Sequence, residues 1–191
     1  MQSRLITFLK SRFNRANRLY ATPDPWHLET PREQFRFAET NRLIAEHIGE
    51  HFASILEVGC GEGHQTQYLE QLANKVYGVD ISARAISRAT RRCPQSKFSE
   101  GDIFTFHFTE PSASKFDLVT AFEVLHYLSD DSLASTLEKM CELGAACMVS
   151  YVEKHRPHVD PHIRKIPGIQ TASLSFTDTR YVKWEVAWWK N

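Results

Sequence analysis

Several features that mark particular classes of protein are missing from this sequence. Its 23 basic and 23 acidic residues cancel, so net charge gives no sign of a nucleic-acid partner. Its four cysteines show no C-x-x-C spacing, which favours free thiols in a reducing compartment. No apolar run approaches membrane-spanning length, and the apolar patch at residues 5–9 is too short for a signal peptide. We therefore predict a cytoplasmic protein without a membrane span or a nucleic-acid partner.

The stretch from Ile55 to Gly63 is the most informative part of the chain. Three apolar β-formers lead into glycines at alternate positions, Gly59, Gly61 and Gly63, and a segment with helical spacing follows from His64. A strand, a glycine turn and a helix start form a nucleotide site, because glycine permits close approach and the helix start offers free N–H groups. A dinucleotide fingerprint would place glycine where His64 stands.

The rest of the chain alternates apolar strand patterns with helical patterns. At 191 residues it is long enough for a single compact domain with a substantial core. Strands are predicted at about 54–58, 76–80, 96–100, 116–122, 145–152, 171–177 and 181–189. This alternation favours an α/β fold with a parallel, doubly wound sheet. The last two strands have no helix between them and should form an antiparallel hairpin.

Three helix starts carry specific expectations. Thr30 is predicted to be an N-cap that forms a capping box with Glu33. Ser82 is predicted to cap a helix over 83–92 whose arginines at 84, 88 and 91 face water. Residues 1–20 carry basic side chains and an apolar stripe, which indicates a helix packed on the domain. A basic amphipathic helix on anionic lipid is the alternative for that stretch.

The pattern Glu57-x-Gly59-x-Gly61-x-Gly63 resembles the first motif of class I S-adenosylmethionine (SAM)-dependent methyltransferases. From about residue 52 the order of elements also matches that fold. The resemblance implies a Rossmann-like seven-stranded sheet of order 3-2-1-4-5-7-6 with strand seven antiparallel, and SAM as cofactor. The N/D-P-P-Y/F motif of nucleic-acid amino methyltransferases is absent, which argues against a DNA adenine methyltransferase.

Two acids follow predicted strands at the ligand-binding edge of such a sheet. Asp80 ends the second strand, where a carboxylate can accept both ribose hydroxyls of an adenosine, although it can also serve as a charge for the next helix. The resemblance gives Asp102 the adenine amino group and Ile103 the adenine ring, whereas Gly-Asp is also an ordinary turn. The predicted cofactor-binding residues of the core are Glu57, Gly59, Cys60, Gly61, Gly63, Asp80, Ile81, Asp102, Ile103 and Glu123.

The N-terminal part resembles the NodS-like small-molecule N-methyltransferases through Tyr20-x3-Asp24-Pro25-Trp26 and a following Arg36. This resemblance implies that Trp26 and Arg36 also reach the cofactor, with the arginine pairing to its methionine carboxylate. The alternative is that Trp26 is a core anchor and that Arg36 is a solvated helix residue. We expect residues 1–51 to form a helical cap or lid over a core of residues 52–191.

Candidate catalytic residues follow the fourth strand, in a stretch similar to the E-x-L-x-Y/H-L sequence of small-molecule methyltransferases. His126 is the candidate base, because an ordinary pKa of about 6.5 leaves it mostly neutral at pH 7. Glu123 is expected to orient it or to hold the acceptor, and Tyr127 is an alternative hydrogen-bonding group. The competing interpretation is that His126 only caps the next helix or packs under the lid. The resemblance implies a small polar acceptor with a nitrogen or oxygen nucleophile, including an amino sugar.

His155, His158 and His162 lie near Asp160 and raise the question of a metal site. Asp160 and Pro161 read as a helix start, so His158 and His162 should not share a helical face, and we predict no metal. We expect this segment to form part of an acceptor wall.

Two other classes of protein stay open at this point, an NAD-dependent oxidoreductase and a non-catalytic SAM-binding protein. The sequence leaves the oligomeric state open.

Overall fold

The structure is a computed structural model that describes residues 16–108, 115–178 and 180–191. Its helices and strands are α1 Pro31–His47, β1 Phe52–Val58, α2 Thr66–Leu69, β2 Ala73–Asp80, α3 Ala83–Arg92, β3 Lys97–Glu100, β4 Phe116–Phe122, α4 Asp130–Leu143, β5 Gly144–Val152, α5 Arg156–Ile163, β6 Gln170–Thr177 and β7 Tyr181–Lys190. Short 3-10 turns at Leu125–Tyr127 and Glu153–His155 follow β4 and β5. Residues 1–15 of the predicted basic helix lie outside the described residues, and residues 16–19 are helical with Ala16 buried.

The sheet has seven strands in the order β3-β2-β1-β4-β5-β7-β6. β3, β2, β1, β4 and β5 are parallel, and β7 runs antiparallel to both β5 and β6. This arrangement confirms the predicted strand order and the antiparallel seventh strand. Because parallel strands end at the same edge, the residues that follow β1, β2 and β4 are brought together there.

Two apolar clusters cover the two faces of the sheet. Neighbouring residues of β1 point to opposite faces, so Leu56 joins the cluster under α4 and α5 while Ile55 joins the cluster under α1. Both side chains are fully buried. Burial on both faces explains why the central strands read as continuous apolar runs rather than alternating ones.

The helix after the glycine turn differs from the prediction. α2 is a single turn of four residues, because β2 begins at Ala73 rather than near Val76 and leaves little chain for a helix. This helix is therefore much shorter than the helical segment predicted from His64. The predicted capping box is also wrong, since Glu33 pairs with Arg32 and Arg36 instead of closing on Thr30.

The helix start predicted at Asp160 is wrong as well. α5 begins at Arg156 and continues through Pro161, with Pro157 in its first turn. His158 and His162 therefore do share a helical face, contrary to the prediction. Each ring has a nitrogen 3.2 Å from Oδ1 of Asp130, at the start of α4.

Candidate active site

The glycine loop has a backbone that only glycine adopts easily. Gly59, Gly61 and Gly63 all have positive φ, at 74°, 53° and 82°. A side chain at Gly59 would meet Val124 at 2.6 Å, and one at Gly61 would meet the Tyr20 hydroxyl at 2.8 Å. The N–H groups of Gly59 and Cys60 both donate to the Val79 carbonyl, which fixes the loop against the end of β2.

Asp80 holds the loop from the neighbouring strand. Its Oδ2 accepts from the Gly61 N–H at 3.1 Å, and its Oδ1 accepts from the Ser82 N–H at 2.9 Å. Burial raises the pKa of Asp80 to about 6, and the two backbone hydrogen bonds oppose that rise. The carboxylate is therefore mostly ionised at neutral pH. Each oxygen still has a lone pair with which to accept from a hydroxyl group.

Glu57 and Arg36 are both buried near the loop, and the charge of Arg36 opposes the protonation of Glu57. Glu57 accepts from the Thr66 hydroxyl at 2.5 Å, and burial raises its pKa to about 8 against the opposing effects of Thr66 and Arg36. Arg36 is 3% exposed and donates from Nε to Glu33 at 2.8 Å. Its Nη1 is buried without a hydrogen-bond partner among the described residues. Such an unpaired donor costs about 1–3 kcal/mol or more, and a carboxylate would satisfy it.

Residues 16–30 lie across this loop and are held there by α3. Arg84 Nη1 donates to the Asn17 carbonyl at 3.1 Å, and Arg88 Nη1 donates to the Thr22 carbonyl at 3.0 Å. Arg88 also pairs with the buried Glu62, whose second oxygen accepts from the Asp24 N–H at 2.9 Å. Arg84 is exposed as predicted and Arg88 is half-buried, and both also tie two segments together.

Tyr20 and Trp26 are the aromatic side chains of this N-terminal segment. Their rings meet edge to face with centroids 5.0 Å apart. Tyr20 is buried over Gly61, and burial together with Asp80 and Cys60 raises its pKa well above the usual range. Trp26 is half-buried, so it is neither a solvated side chain nor a fully enclosed core residue.

The turn after β3 places Asp102 beside the same sheet edge. Asp102 Oδ1 accepts from the Phe104 N–H at 3.0 Å and from the Thr105 hydroxyl at 2.9 Å, so the acid closes its own turn. Ile103 is 2% exposed and packs in the core, while Ile81 is half-buried after β2. The turn interpretation of Asp102 therefore holds, and it leaves carboxylate lone pairs for a further donor.

Glu123 directly follows β4 and has an uncommon backbone conformation. Its φ is 56°, which a non-glycine residue seldom adopts. Oε1 accepts from the Ser150 hydroxyl at 3.0 Å, and Oε2 accepts from the Val152 N–H at 3.1 Å. Burial raises the pKa of Glu123, with Arg36 acting in the opposite direction. The carboxylate is thus bonded to β5 rather than to the His126 ring.

His126 and Tyr127 lie in the turn that follows. Tyr127 is 57% exposed, whereas the His126 ring is half-buried with Nδ1 lacking a partner among the described residues. Burial and the neighbouring His155, Lys154 and His158 lower the pKa of His126 to about 4. The imidazole is therefore neutral at pH 7, as the sequence prediction required, but it binds a proton more weakly than an ordinary histidine.

The histidines of α5 lie next to this turn. His158 Nε2 contacts the Leu128 carbonyl at 2.9 Å, and an open cleft of about 500 Å³ lies beside Asp130, His158 and His162. Within residues 16–108, 115–178 and 180–191, no group of three or more His, Cys, Asp or Glu is arranged to hold a metal ion.

The structure therefore brings most of the predicted residues to one sheet edge. It adds Glu62 and Tyr20, which the prediction did not assign to the site, and it gives His155 of the expected acceptor wall a specific neighbour. Glu62 and Tyr20 face the glycine loop, and His155 stacks on His126. The arginines at 84, 88 and 92 recur every four residues, which in retrospect signals a basic stripe able to meet Glu62. The position of His155 has no comparable signal, because it depends on packing between the ends of β4 and β5.

Comparison with known proteins agrees with this geometry. A family described as a methyltransferase domain matches residues 55–144. Nodulation protein S of Bradyrhizobium diazoefficiens is 38% identical over 114 residues, which cover 58% of this chain and 52% of that protein. Trans-aconitate 2-methyltransferase of Rhizobium etli is 30% identical over 100 residues, covering 51% of this chain and 38% of that protein. The chain thus spans about half the length of the first curated relatives it matches, or less.

Solved structures show the same fold. The N-methyltransferase NodS from Bradyrhizobium japonicum WM9 in complex with S-adenosyl-l-homocysteine (SAH) superposes with a TM-score of 0.76 at 22% identity, over 94% of this chain and 97% of that one. The magnesium protoporphyrin IX methyltransferase of Synechocystis PCC 6803 with bound SAM gives 0.66 at 20% identity, over 94% and 92%.

The fold, the glycine loop and the match of residues 55–144 to a methyltransferase domain together support a class I SAM-dependent methyltransferase. Members of the class use SAM as the methyl donor. Within the class, the chain resembles the nodulation protein S methyltransferases. Among the described residues, no helix is long and apolar enough to cross a membrane.

Proposed function

We propose that this protein transfers a methyl group from SAM to a nitrogen or oxygen of a small polar acceptor, and that the acceptor is an amine of the amino-sugar type. The observation that carries the proposal is that charged cofactor-binding groups and a neutral histidine lie at the same edge of the sheet. The ionised Asp80 and the unpaired Arg36 donor lie on the cofactor side, and the neutral His126 lies after β4.

The cofactor side offers a group for each polar part of SAM. Asp80 would accept from the ribose hydroxyls, Arg36 would pair with the methionine carboxylate, and Asp102 would accept from the adenine amino group. Gly61 would let the ligand approach the backbone, and Trp26 would cover it. These roles fit the orphaned Nη1 of Arg36 and the free lone pairs of Asp80 and Asp102.

When bound, SAM supplies an already activated methyl group, so the chain mainly has to position the acceptor. Good positioning is worth roughly 7–11 kcal/mol in favourable cases. His126 can take a proton from the acceptor because its ring is neutral at pH 7. Burial and the nearby basic groups, which keep His126 unprotonated, would also lower the pKa of an amine bound beside it. The amine would then present the neutral lone pair that attack requires.

The acceptor is tested by a methyltransferase assay that measures SAH release from the full chain. The panel contains amino sugars, small amines, phenols and carboxylic acids, the last because a trans-aconitate methyltransferase is among the relatives. We expect turnover with amino sugars or other amines above the level without acceptor. Turnover confined to carboxylic acids would contradict the amine assignment, and SAM binding without any turnover would favour a non-catalytic SAM-binding protein.

We further propose that residues 1–51 act as a lid on the core. The supporting contacts are those of Arg84 and Arg88 with residues 17 and 22 and the bond from the Asp24 N–H to Glu62. Closing a lid excludes water and can gate turnover. Removing residues 1–30 should weaken SAM binding, whereas the truncated chain should still show a cooperative unfolding transition on heating. Equal SAM affinity and equal turnover in the truncated and full chains would refute the lid.

A further inference from the structure

His126 has an aromatic neighbour that comes from a different strand end. The His155 ring lies parallel to the His126 ring, with centroids 4.0 Å apart and 5° between the planes. Tyr127 contacts the His126 ring from its own turn, at 4.2 Å and 42°. His155 ends the 3-10 turn that follows β5 and precedes α5. The stack therefore joins the segment that follows β4 to the segment that follows β5.

The groups around the His126 ring are basic or neutral. Lys154 and His155 come from the turn after β5, and His158 comes from α5. His158 is held in place by the Leu128 carbonyl at 2.9 Å and by Asp130 at 3.2 Å. The nearest carboxylate on the chain before His126, that of Glu123, is bonded to Ser150 and Val152. No acid among the described residues is hydrogen-bonded to the His126 ring, so packing rather than an acid orients it.

We propose that His155 is a positioning residue that holds the His126 ring in place by stacking at the acceptor end of the site. The inference rests on the proposed role of His126 in methyl transfer. Removing the His155 ring would let the His126 ring rotate and admit water to the face that it now covers. Both changes would misplace a group that must meet the acceptor, and a misplacement of this kind can lower the rate strongly.

The test compares His155→Ala with His155→Phe, which keeps a flat ring but no ionisable group. The first readout is the NMR titration of His126 in histidine-labelled full-length protein, with the signal assigned from His126→Asn. In His155→Ala we expect the pKa of His126 to rise from about 4 toward the ordinary value, because burial and a basic neighbour are both lost. In His155→Phe it should rise less, because the ring still shields His126 from water.

The second readout is turnover with the acceptor found in the assay above. His155→Ala should lower kcat by roughly 10-fold or more while SAM affinity stays unchanged, and His155→Phe should remain within about 2-fold of the wild type. His51→Ala is the control, because His51 is an exposed histidine at the opposite end of β1 from the glycine loop. SAM affinity also reports that each variant is folded.

An unchanged His126 titration in His155→Ala would overturn the proposal, because a stacked ring cannot be removed without altering the solvation of its neighbour. Equal loss of turnover in the alanine and phenylalanine variants would overturn it too, since stacking would then not be the property that matters. The titration needs no acceptor. If no compound is methylated but the titration shifts, the methyl-transfer proposal fails while the stack itself is established.

Discussion

The two halves of the proposed site, a cofactor side and an acceptor side, are built from different parts of the molecule. On the cofactor side, backbone geometry dominates: the loop glycines have positive φ, and backbone N–H groups of Gly61 and Ser82 bond to Asp80. On the acceptor side, side chains dominate, with His126 packed between His155 and Tyr127. A backbone that only glycine allows leaves a recognisable sequence pattern, whereas packing between distant turns leaves none.

The difference also shapes the expected response to mutation. The positive φ values and close contacts of the glycine loop leave no room for a Cβ atom, so a side chain there should weaken binding strongly. A side-chain cluster can adjust, so changes there should alter rates or pH dependence while the fold and SAM affinity persist. The predictions below test this contrast, in order of decreasing effect.

The largest effect is expected from Gly61→Val. A side chain here would be strained at φ 53° and would occupy the space between the loop and Tyr20. Calorimetry should show SAM affinity reduced by about 100-fold or more, equivalent to about 2.7 kcal/mol. Gly168→Val is the matched control, because Gly168 has a similar φ of 69° but no atom within 4 Å of the added carbon. Similar SAM affinities in the two variants would contradict the assignment of the loop.

On the acceptor side, His126→Ala should lower kcat by about 100-fold while leaving SAM affinity nearly unchanged. Because the pKa of His126 is lowered to about 4, the wild-type rate should fall only as pH drops toward that value. The variant should lack this acidic limb. Wild-type turnover by the variant with the true acceptor would exclude His126 as the base.

Asp80→Ala should weaken SAM binding by about 10- to 100-fold, since a charge-assisted hydrogen bond contributes about 1.5–3 kcal/mol. Since the pKa of Asp80 is raised to about 6, wild-type affinity should also decrease as pH falls through that value and the carboxylate gains a proton. Asp117→Ala is the control, because Asp117 likewise accepts from a backbone N–H, that of Ser54. Unchanged affinity in Asp80→Ala would remove the ribose role.

Arg36→Lys should weaken SAM binding by about 10-fold, because a lysine cannot provide the planar fork of donors that a carboxylate prefers. Arg42→Lys is a control on the same helix: Arg42 pairs with Glu39 three residues earlier, as Arg36 does with Glu33, but is exposed. Equal affinities of the two variants for SAM, measured by calorimetry, would show that Arg36 only holds α1 together.

The smallest effect is a change in stability with pH. The pKa of Glu57 is raised to about 8, so the folded chain keeps a proton that the unfolded chain loses near pH 4.5. Stability contributed by the protonated group is therefore lost as pH rises from about 4.5 to 8. The glutamine of Glu57→Gln cannot ionise. The melting temperature of this variant should therefore rise relative to that of the wild type as pH is raised from 5 to 8. A constant difference would contradict the raised pKa.

The sheet order was predicted from the resemblance to class I methyltransferases. The glycine loop and the placing of Asp80 at the sheet edge were predicted from local pattern and strand polarity. The sequence did not predict that α2 is only one turn, since the start of β2 is set by pairing with β1. It also missed the extent of α5, because a proline inside a helix reads as a boundary. The contacts of Arg88 with Glu62 and of His155 with His126 join distant residues, and no local pattern encodes them.

The central claim is that this loop and its surrounding charges bind SAM, and the most direct measurement is a calorimetric titration of the full chain with SAM and, in parallel, with NAD. The account predicts saturable binding of one SAM molecule per chain at neutral pH and no detectable binding of NAD at the same concentrations. Saturable binding of NAD without binding of SAM would contradict it and would favour an oxidoreductase instead.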